Sequence, residues 1–230
     1  MTPARLALFD LDGTLIDSET GIVASIEYAL GKLGAQIPPR EVLRTWIGPP
    51  LRATFPLVLG DDHEAVERAV AFYRERFADT GWREHVVYPG IGDAIESLAV
   101  QGATLAVVTS KPDLYAGRIV ASLPFGHRFA RVYSVAAGSR HSEKAEMIAQ
   151  ALSDFGVAAD AAVMVGDRHF DIEGARANGV RGIGVGWGFG SVDELRDAGA
   201  DAIVHAPHEL CDVVCCATTS SCASCDNFPG

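Results

Sequence analysis

Residues 5–15 read RLALFDLDGTL, and the change of character at position 10 decides the fold. The apolar run Leu6-Ala7-Leu8-Phe9 leads straight into the acidic turn Asp10-Leu11-Asp12-Gly13-Thr14. A short unbroken apolar run that stops at such a turn reads as a strand buried on both faces. From Glu19 to about residue 78 the period lengthens. Ile22, Ile26, Leu30 and Leu33 recur at helical spacing, as do Val66, Val70, Tyr73 and Phe77. Pro38-Pro39 and Gly48-Pro49-Pro50 cut this stretch into several helices. After Tyr88-Pro89-Gly90 short strands are expected at 103–109, 132–135, 162–165 and 181–185, between helices at about 92–100, 113–122, 143–155 and 170–178. That alternation predicts βαβ units around a parallel sheet.

The expected fold is therefore α/β, a Rossmann-like parallel-sheet core with an all-α cap inserted after the first strand. The core takes residues 1–16 and 85–214, the helical cap 17–84, and a Cys-rich, loosely ordered tail 215–230. Two connections join the cap to the core, the layout of a lid over a site.

Composition bounds the function. The 230 residues are 48% hydrophobic, and 19 Lys and Arg face 30 Asp and Glu for a net charge of −11. A chain this acidic is a poor partner for nucleic acid or an anionic membrane surface. No apolar run approaches the roughly 20 residues that span a bilayer, and Asp10 and Asp12 break the amino-terminal run, so no signal peptide is expected. A cytoplasmic protein, monomeric or homodimeric, is the expectation. All five cysteines lie at or beyond Cys211; Cys222 and Cys225 form a CxxC pair, but the loops between the cysteines are short, no His lies among them, and a plain tail is the simpler account.

In an open parallel sheet, ligands bind at the carboxyl ends of the strands. Those ends carry Asp10 and Asp12, then Thr109-Ser110-Lys111, then Gly166-Asp167-Arg168 with Asp171 one helical turn on, while Lys144 opens the helix after the third strand. Singly, each has an ordinary explanation as a turn, cap or solvated residue. Together, four carboxylates repel unless a cation lies among them, and oxygen donors without His or Cys suit Mg²⁺. A carboxylate beside Mg²⁺ can attack phosphorus, a second can protonate the leaving oxygen, and Thr and Lys can hold the transferring charge. The glycines at 182, 184, 186, 188 and 190 never satisfy GxGxxG and read as a strand with a flexible loop.

In order and spacing, Asp10-Leu11-Asp12-Gly13-Thr14-Leu15, Thr109-Ser110-Lys111, Lys144 and Gly166-Asp167-Arg168-His169-Phe170-Asp171 resemble the four motifs of the haloacid dehalogenase superfamily. Tyr88-Pro89-Gly90 and GVGWGFG at 184–190 are similar to its phosphoglycolate-phosphatase-like branch. The resemblance implies Asp10 as nucleophile, Asp12 as general acid/base and Mg²⁺ ligand through its backbone carbonyl, Thr109 and Lys144 on the phosphoryl group, and Asp167 and Asp171 at Mg²⁺. Many relatives have Lys-Pro at the third motif where this chain has Lys144-Ala145. Lys111-Pro112 matches that composition, but it directly follows Thr109 and is set aside.

The same resemblance narrows the reaction. Asp12 argues against dehalogenation, whose halide leaving group needs no proton. The cap's lone lysine, Lys32, argues against a Schiff-base phosphonatase, and Leu51 stands where a hexose-phosphate mutase carries Arg. What remains is a Mg²⁺-dependent phosphatase acting on a small-molecule phosphate monoester through an aspartyl-phosphate. A phosphoglycolate-like substrate is favoured, with a nucleoside 5′-monophosphate or a sugar phosphate as alternatives. A phospho-acceptor or binding module is the non-enzymatic alternative. Expected substrate contacts are Thr109, Ser110, Lys144, Gly48 and Arg52, with Ser18, Glu19, Trp46 and Pro49 as further cap candidates.

Overall fold

The computed structural model describes residues 5–136 and 144–217. β1 (Arg5–Phe9) is followed by β2 (Ile16–Asp17) and five helices: α1 (Glu19–Lys32), α2 (Arg40–Arg44), α3 (Leu51–Thr54), α4 (Pro56–Leu59) and α5 (His63–Asp79). β3 (Val86–Val87) then returns the chain to α6 (Ile91–Val100), β4 (Ala103–Pro112), α7 (Asp113–Ser122) and β5 (Phe129–Val135). The remainder runs α8 (Lys144–Phe155), β6 (Ala162–Gly166), α9 (His169–Ala177), β7 (Arg181–Val185), α10 (Val192–Asp197), β8 (Ala202–Val204) and α11 (Leu210–Ala217).

Six strands form one parallel sheet in the order β5-β4-β1-β6-β7-β8. β1 is central because both its faces are apolar. Leu6 and Leu8 pack with Ala106, Val108 and Met164 against Ile148 and Ala151 of α8, while Phe9 packs with Val107 and Val165 against Ile91, Ile95 and Leu98 of α6. The period of two along a strand produces this split, and the helical spacing of the α6 residues answers it. From β1 the chain winds outward through β4 and β5, then returns to β6 on the other side of β1. That reversal opens a crevice at the carboxyl ends of β1 and β6.

Between β2 and β3 the chain is helical, as its period implies, and its core is the contact of α1 with α5 through Ile22, Ile26, Leu30, Val66, Val70 and Phe77. Asp62 starts α5 by accepting the Ala65 N–H at 3.0 Å. β2 and β3 pair antiparallel at the neck of this block, Ile16 with Val87 and Asp17 with Val86.

Two expectations need correction, and the carboxyl-terminal elements go beyond what was expected. β5 begins at Phe129, three residues earlier than its apolar stretch suggested, because an edge strand tolerates the polar Arg131. β4 continues to Pro112 with an irregular register after Val108, so Thr109-Ser110-Lys111 belongs to the strand. β8 was not expected: three residues carry too short a pattern to read. Finally, α11 runs to Ala217, past the boundary drawn at 214. Cys222 and Cys225 lie outside the described residues, and Cys211 is a half-buried free thiol.

Candidate active site

β1 delivers Asp10 to the crevice, and the ladder does not stop there: the Asp10 N–H still bonds Val165 O of β6 at 2.9 Å. Asp167 stands one residue past β6 and is fully buried, and Asp171 lies in the first turn of α9 at 1% exposure. Carboxylate oxygens of Asp10, Asp167 and Asp171 come within 4.8 Å of one another. Lys144, at the start of α8, places its ammonium 2.7 Å from Asp10 Oδ1 and also on Asp171 Oδ1.

Two of the three clustered carboxylates thus share one ammonium away from water, and the electrostatics register the crowding. Burial pushes the Asp10 carboxyl up to about 6, Lys144 pulling against it and Asp171 adding to it. Asp167 is raised well above the ordinary carboxylate range by burial and then by Asp10 and Asp171. Burial works against the Lys144 charge, but Asp10 and Asp171 outweigh it and hold its proton more tightly. A cluster of hard, buried oxygen donors short of positive charge fits a hard divalent cation.

The Asp167 carboxylate is fixed from the other side. Its Oδ2 accepts the Phe189 N–H at 2.7 Å, and its Oδ1 accepts a long bond from the Thr14 hydroxyl at 3.4 Å. The glycine-rich segment after β7 makes this approach: a Cβ on Gly188 would lie 2.3 Å from Asp167 Cβ. Far from being a free loop, the segment is a wall, and Trp187 Nε1 ties it to Thr14 O at 3.1 Å.

Asp12 stands apart from the three-carboxylate cluster. Its Oδ2 takes the Lys111 ammonium at 2.8 Å, and its Oδ1 is buried with no hydrogen-bond partner among the described residues. Lys111 is therefore in the site. Lys144, not Lys111, is the lysine on Asp10 and Asp171, and Lys111 enters the site as the partner of Asp12, carried there by the continuation of β4. Thr109 is buried, and its Oγ1 accepts the Lys111 N–H at 3.2 Å.

A cavity of about 390 Å³ opens over these groups. Asp10, Asp12, Thr109, Ser110, Lys111, Lys144 and Asp171 form its floor. The helical block supplies Trp46, Gly48, Pro49, Arg52, Tyr73 and Phe77. Trp46 is buried edge-on against Phe55, centroids 6.2 Å apart, and Arg52 is committed to Glu67 through Nε at 2.6 Å and Nη2 at 2.9 Å. Ser18 and Glu19 are not brought to the wall; the Glu19 carboxylate holds Arg40 at 2.7 Å and Arg44 at 3.4 Å.

Arg168 makes contacts that its motif alone did not reveal. Its Nε donates to Glu194 Oε1 at 2.8 Å, and its Nη1 donates to Ile47 O, so it spans the core and the helical block. Its place inside the Gly166–Asp171 motif was visible, but a reach to a residue 121 positions away was not.

Comparison with known proteins accords with this geometry. Residues 7–185 match the haloacid dehalogenase-like hydrolase family. A 5′-nucleotidase of Pseudomonas aeruginosa is 42% identical over 204 residues, 89% of each chain. The tyrosine-protein kinase PtkA of Mycobacterium tuberculosis is 34% identical over 203 residues, 88% of this chain and 69% of that one. Among solved structures, a predicted phosphatase from Clostridium acetobutylicum superposes with a TM-score of 0.86 at 36% identity, covering 93% of this chain and 99% of the other.

Proposed function

The chain belongs to the haloacid dehalogenase-like hydrolase family and is a phosphatase, and on that premise we propose that it hydrolyses a small phosphate monoester with Mg²⁺, through an aspartyl-phosphate on Asp10. One observation carries the reading: a buried Asp10 at the end of the central strand, clustered with Asp167 and Asp171 and gripped by Lys144, faces a cavity roofed by helices.

Asp10, Asp167, Asp171 and the Asp12 backbone carbonyl would hold the cation. When bound, Mg²⁺ neutralises the clustered carboxylates and the phosphate's charge. An Asp10 carboxylate oxygen attacks phosphorus, and the bond from phosphorus to the ester oxygen breaks. Asp12 gives its proton to that oxygen, releasing the alcohol. Asp12, now a carboxylate, takes a proton from water as the water oxygen attacks phosphorus, which frees Asp10 and inorganic phosphate. Thr109, Ser110 and Lys144 would hold the phosphoryl oxygens throughout, and the helical block would act as the cap that excludes water.

For the substrate, two features favour a nucleoside 5′-monophosphate over phosphoglycolate. A cavity of about 390 Å³ walled by Trp46, Tyr73, Phe77 and Phe189 has room for a flat ring system that a two-carbon acid would leave unfilled. Arg52, the expected substrate contact whose charge could meet a glycolate carboxylate, is engaged by Glu67. The relative named 5′-nucleotidase supports the same choice. The reading places the enzyme in the cytoplasm, without nucleic acid or membrane as partner.

The test is phosphate release from nucleoside 5′-monophosphates and phosphoglycolate, with and without Mg²⁺. Wild type is expected to turn over the nucleotides faster and only with the cation, and Asp10→Asn to fall to background. Turnover surviving in Asp10→Asn would overturn the mechanism.

A further inference from the structure

Lys111 is buried, with its side chain 5% exposed, and two groups hold its ammonium in place. Asp12 Oδ2 lies 2.8 Å away, and the Phe77 ring centroid lies 4.8 Å away on another side. Asp12 and Lys111 belong to the core, whereas Phe77 is on α5 of the helical block. The ring is itself pinned, stacked on Tyr73 at 5.4 Å and edge-on to Tyr115 of α7 at 4.9 Å. Face contact between an aromatic ring and an ammonium is attractive, most of all where water is scarce. Seating α5 against the core therefore fixes the lysine, and the lysine fixes one oxygen of Asp12.

The other oxygen of Asp12 is the informative one. Oδ1 is buried and has no partner among the described residues, a costly state for a carboxylate oxygen unless something else is to meet it. We propose that Lys111 is a positioning residue for leaving-group chemistry: it ties down Asp12 Oδ2 so that Oδ1 faces the ester oxygen, and the Phe77 ring makes that alignment depend on docking of the helical block. The proposal rests on the phosphatase reading above and adds to it a residue outside the motifs' assigned roles. A substrate that seats the block would thereby align the proton donor, while an open block would leave the Asp12 carboxyl free to turn.

The proposal makes the defect depend on the leaving group. An alkyl phosphate needs its departing oxygen protonated, whereas 4-nitrophenyl phosphate departs as a stable anion and needs little help. The experiment measures kcat and KM of wild type, Lys111→Met, Lys111→Arg, Phe77→Leu and Asp12→Asn on a nucleoside 5′-monophosphate and on 4-nitrophenyl phosphate, with melting temperatures alongside. For Lys111→Met, kcat on the nucleotide is expected to fall about 100-fold, with a much smaller fall on the aryl ester and KM nearly constant. Asp12→Asn should have the same leaving-group bias. Lys111→Arg, whose guanidinium can both donate to a carboxylate and stack on a ring, should recover part of the loss. Phe77→Leu should repeat the bias more weakly, and it decides the matter alone if Lys111→Met does not fold. An equal fall on both substrates, or no fall, would overturn the proposal. A wild type silent toward both esters would instead overturn the phosphatase reading beneath it.

Discussion

At the scale of single residues, the site is a problem of packing negative charge, and Gly13 is one of the positions where that packing leaves no room for a side chain. It has φ +87°, and a Cβ built there would lie 2.2 Å from Asp167 Oδ2. Gly13→Ala meets two penalties, the left-handed backbone at about 1–2 kcal/mol and displacement of a carboxylate held by Phe189 and Thr14. Gly156 separates them, since it has φ +61° and nothing within 4 Å. In urea unfolding, Gly156→Ala should lose about 1–2 kcal/mol and keep its turnover, while Gly13→Ala should lose more and give no Mg²⁺-dependent phosphate release. Equal losses and equal activities would refute the role assigned to this approach. Asp10, Asp12, Thr109, Lys144, Asp167 and Asp171 could be read from sequence because each stands at a fixed offset from a strand end or a helix start. Lys111 and Arg168 stood in the same motifs, but what they touch could not be read: one contact depends on β4 continuing past Val108 with an irregular register, the other on a distant loop.

At the scale of elements, the start of α9 is anchored to α10 through one oxygen. Glu194 Oε1 accepts from Arg168 Nε at 2.8 Å, from the His169 N–H at 2.9 Å, and lies 2.7 Å from His169 Nδ1. Partial burial raises the Glu194 carboxyl, but these donors outweigh it and bring it from the ordinary 4.5 down to about 2. A depressed carboxyl contributes stability that is complete above its unfolded value and is lost as pH falls toward its folded one. Wild type should therefore exceed Glu194→Gln by about 1–2 kcal/mol near neutrality, and the gap should close between pH 4.5 and about 2. Chemical unfolding at three pH values checks this, and a gap that widens on acidification would contradict it. The long apolar runs were legible at this scale because burial on both faces leaves a continuous signal. β2, β3 and β8 were not, because two or three residues have no period to read.

At the scale of the whole molecule, the proposed cation site would place part of the fold's stability under the control of the ion that the clustered carboxylates hold. Mg²⁺ at about 100 times its dissociation constant should add about 2.7 kcal/mol, a rise of about 5–10 °C in melting temperature for a chain of this length. Asp167→Asn should abolish that gain while leaving the metal-free protein at least as stable as wild type, because it removes a charge from a crowded site. Loss of stability without metal, or an undiminished Mg²⁺ response, would argue against the cluster as the cation's place. The α/β class and its helical insertion were legible from the change of period at residue 19 and its return after residue 88. The cavity was not, because its walls come from segments that meet only when the chain is folded.

The neck formed by β2 and β3 has a consequence for how such a protein changes over generations. The inserted segment begins after Asp17 and ends before Val86, residues paired with each other in the two-stranded ribbon, so its ends already touch. None of the six sheet strands lies within that segment. A lineage could shorten, lengthen or exchange it wholesale and leave every strand in register, so that the helical wall of the cavity can be rewritten by recombination at two adjacent points while the carboxylates at the strand ends are inherited intact.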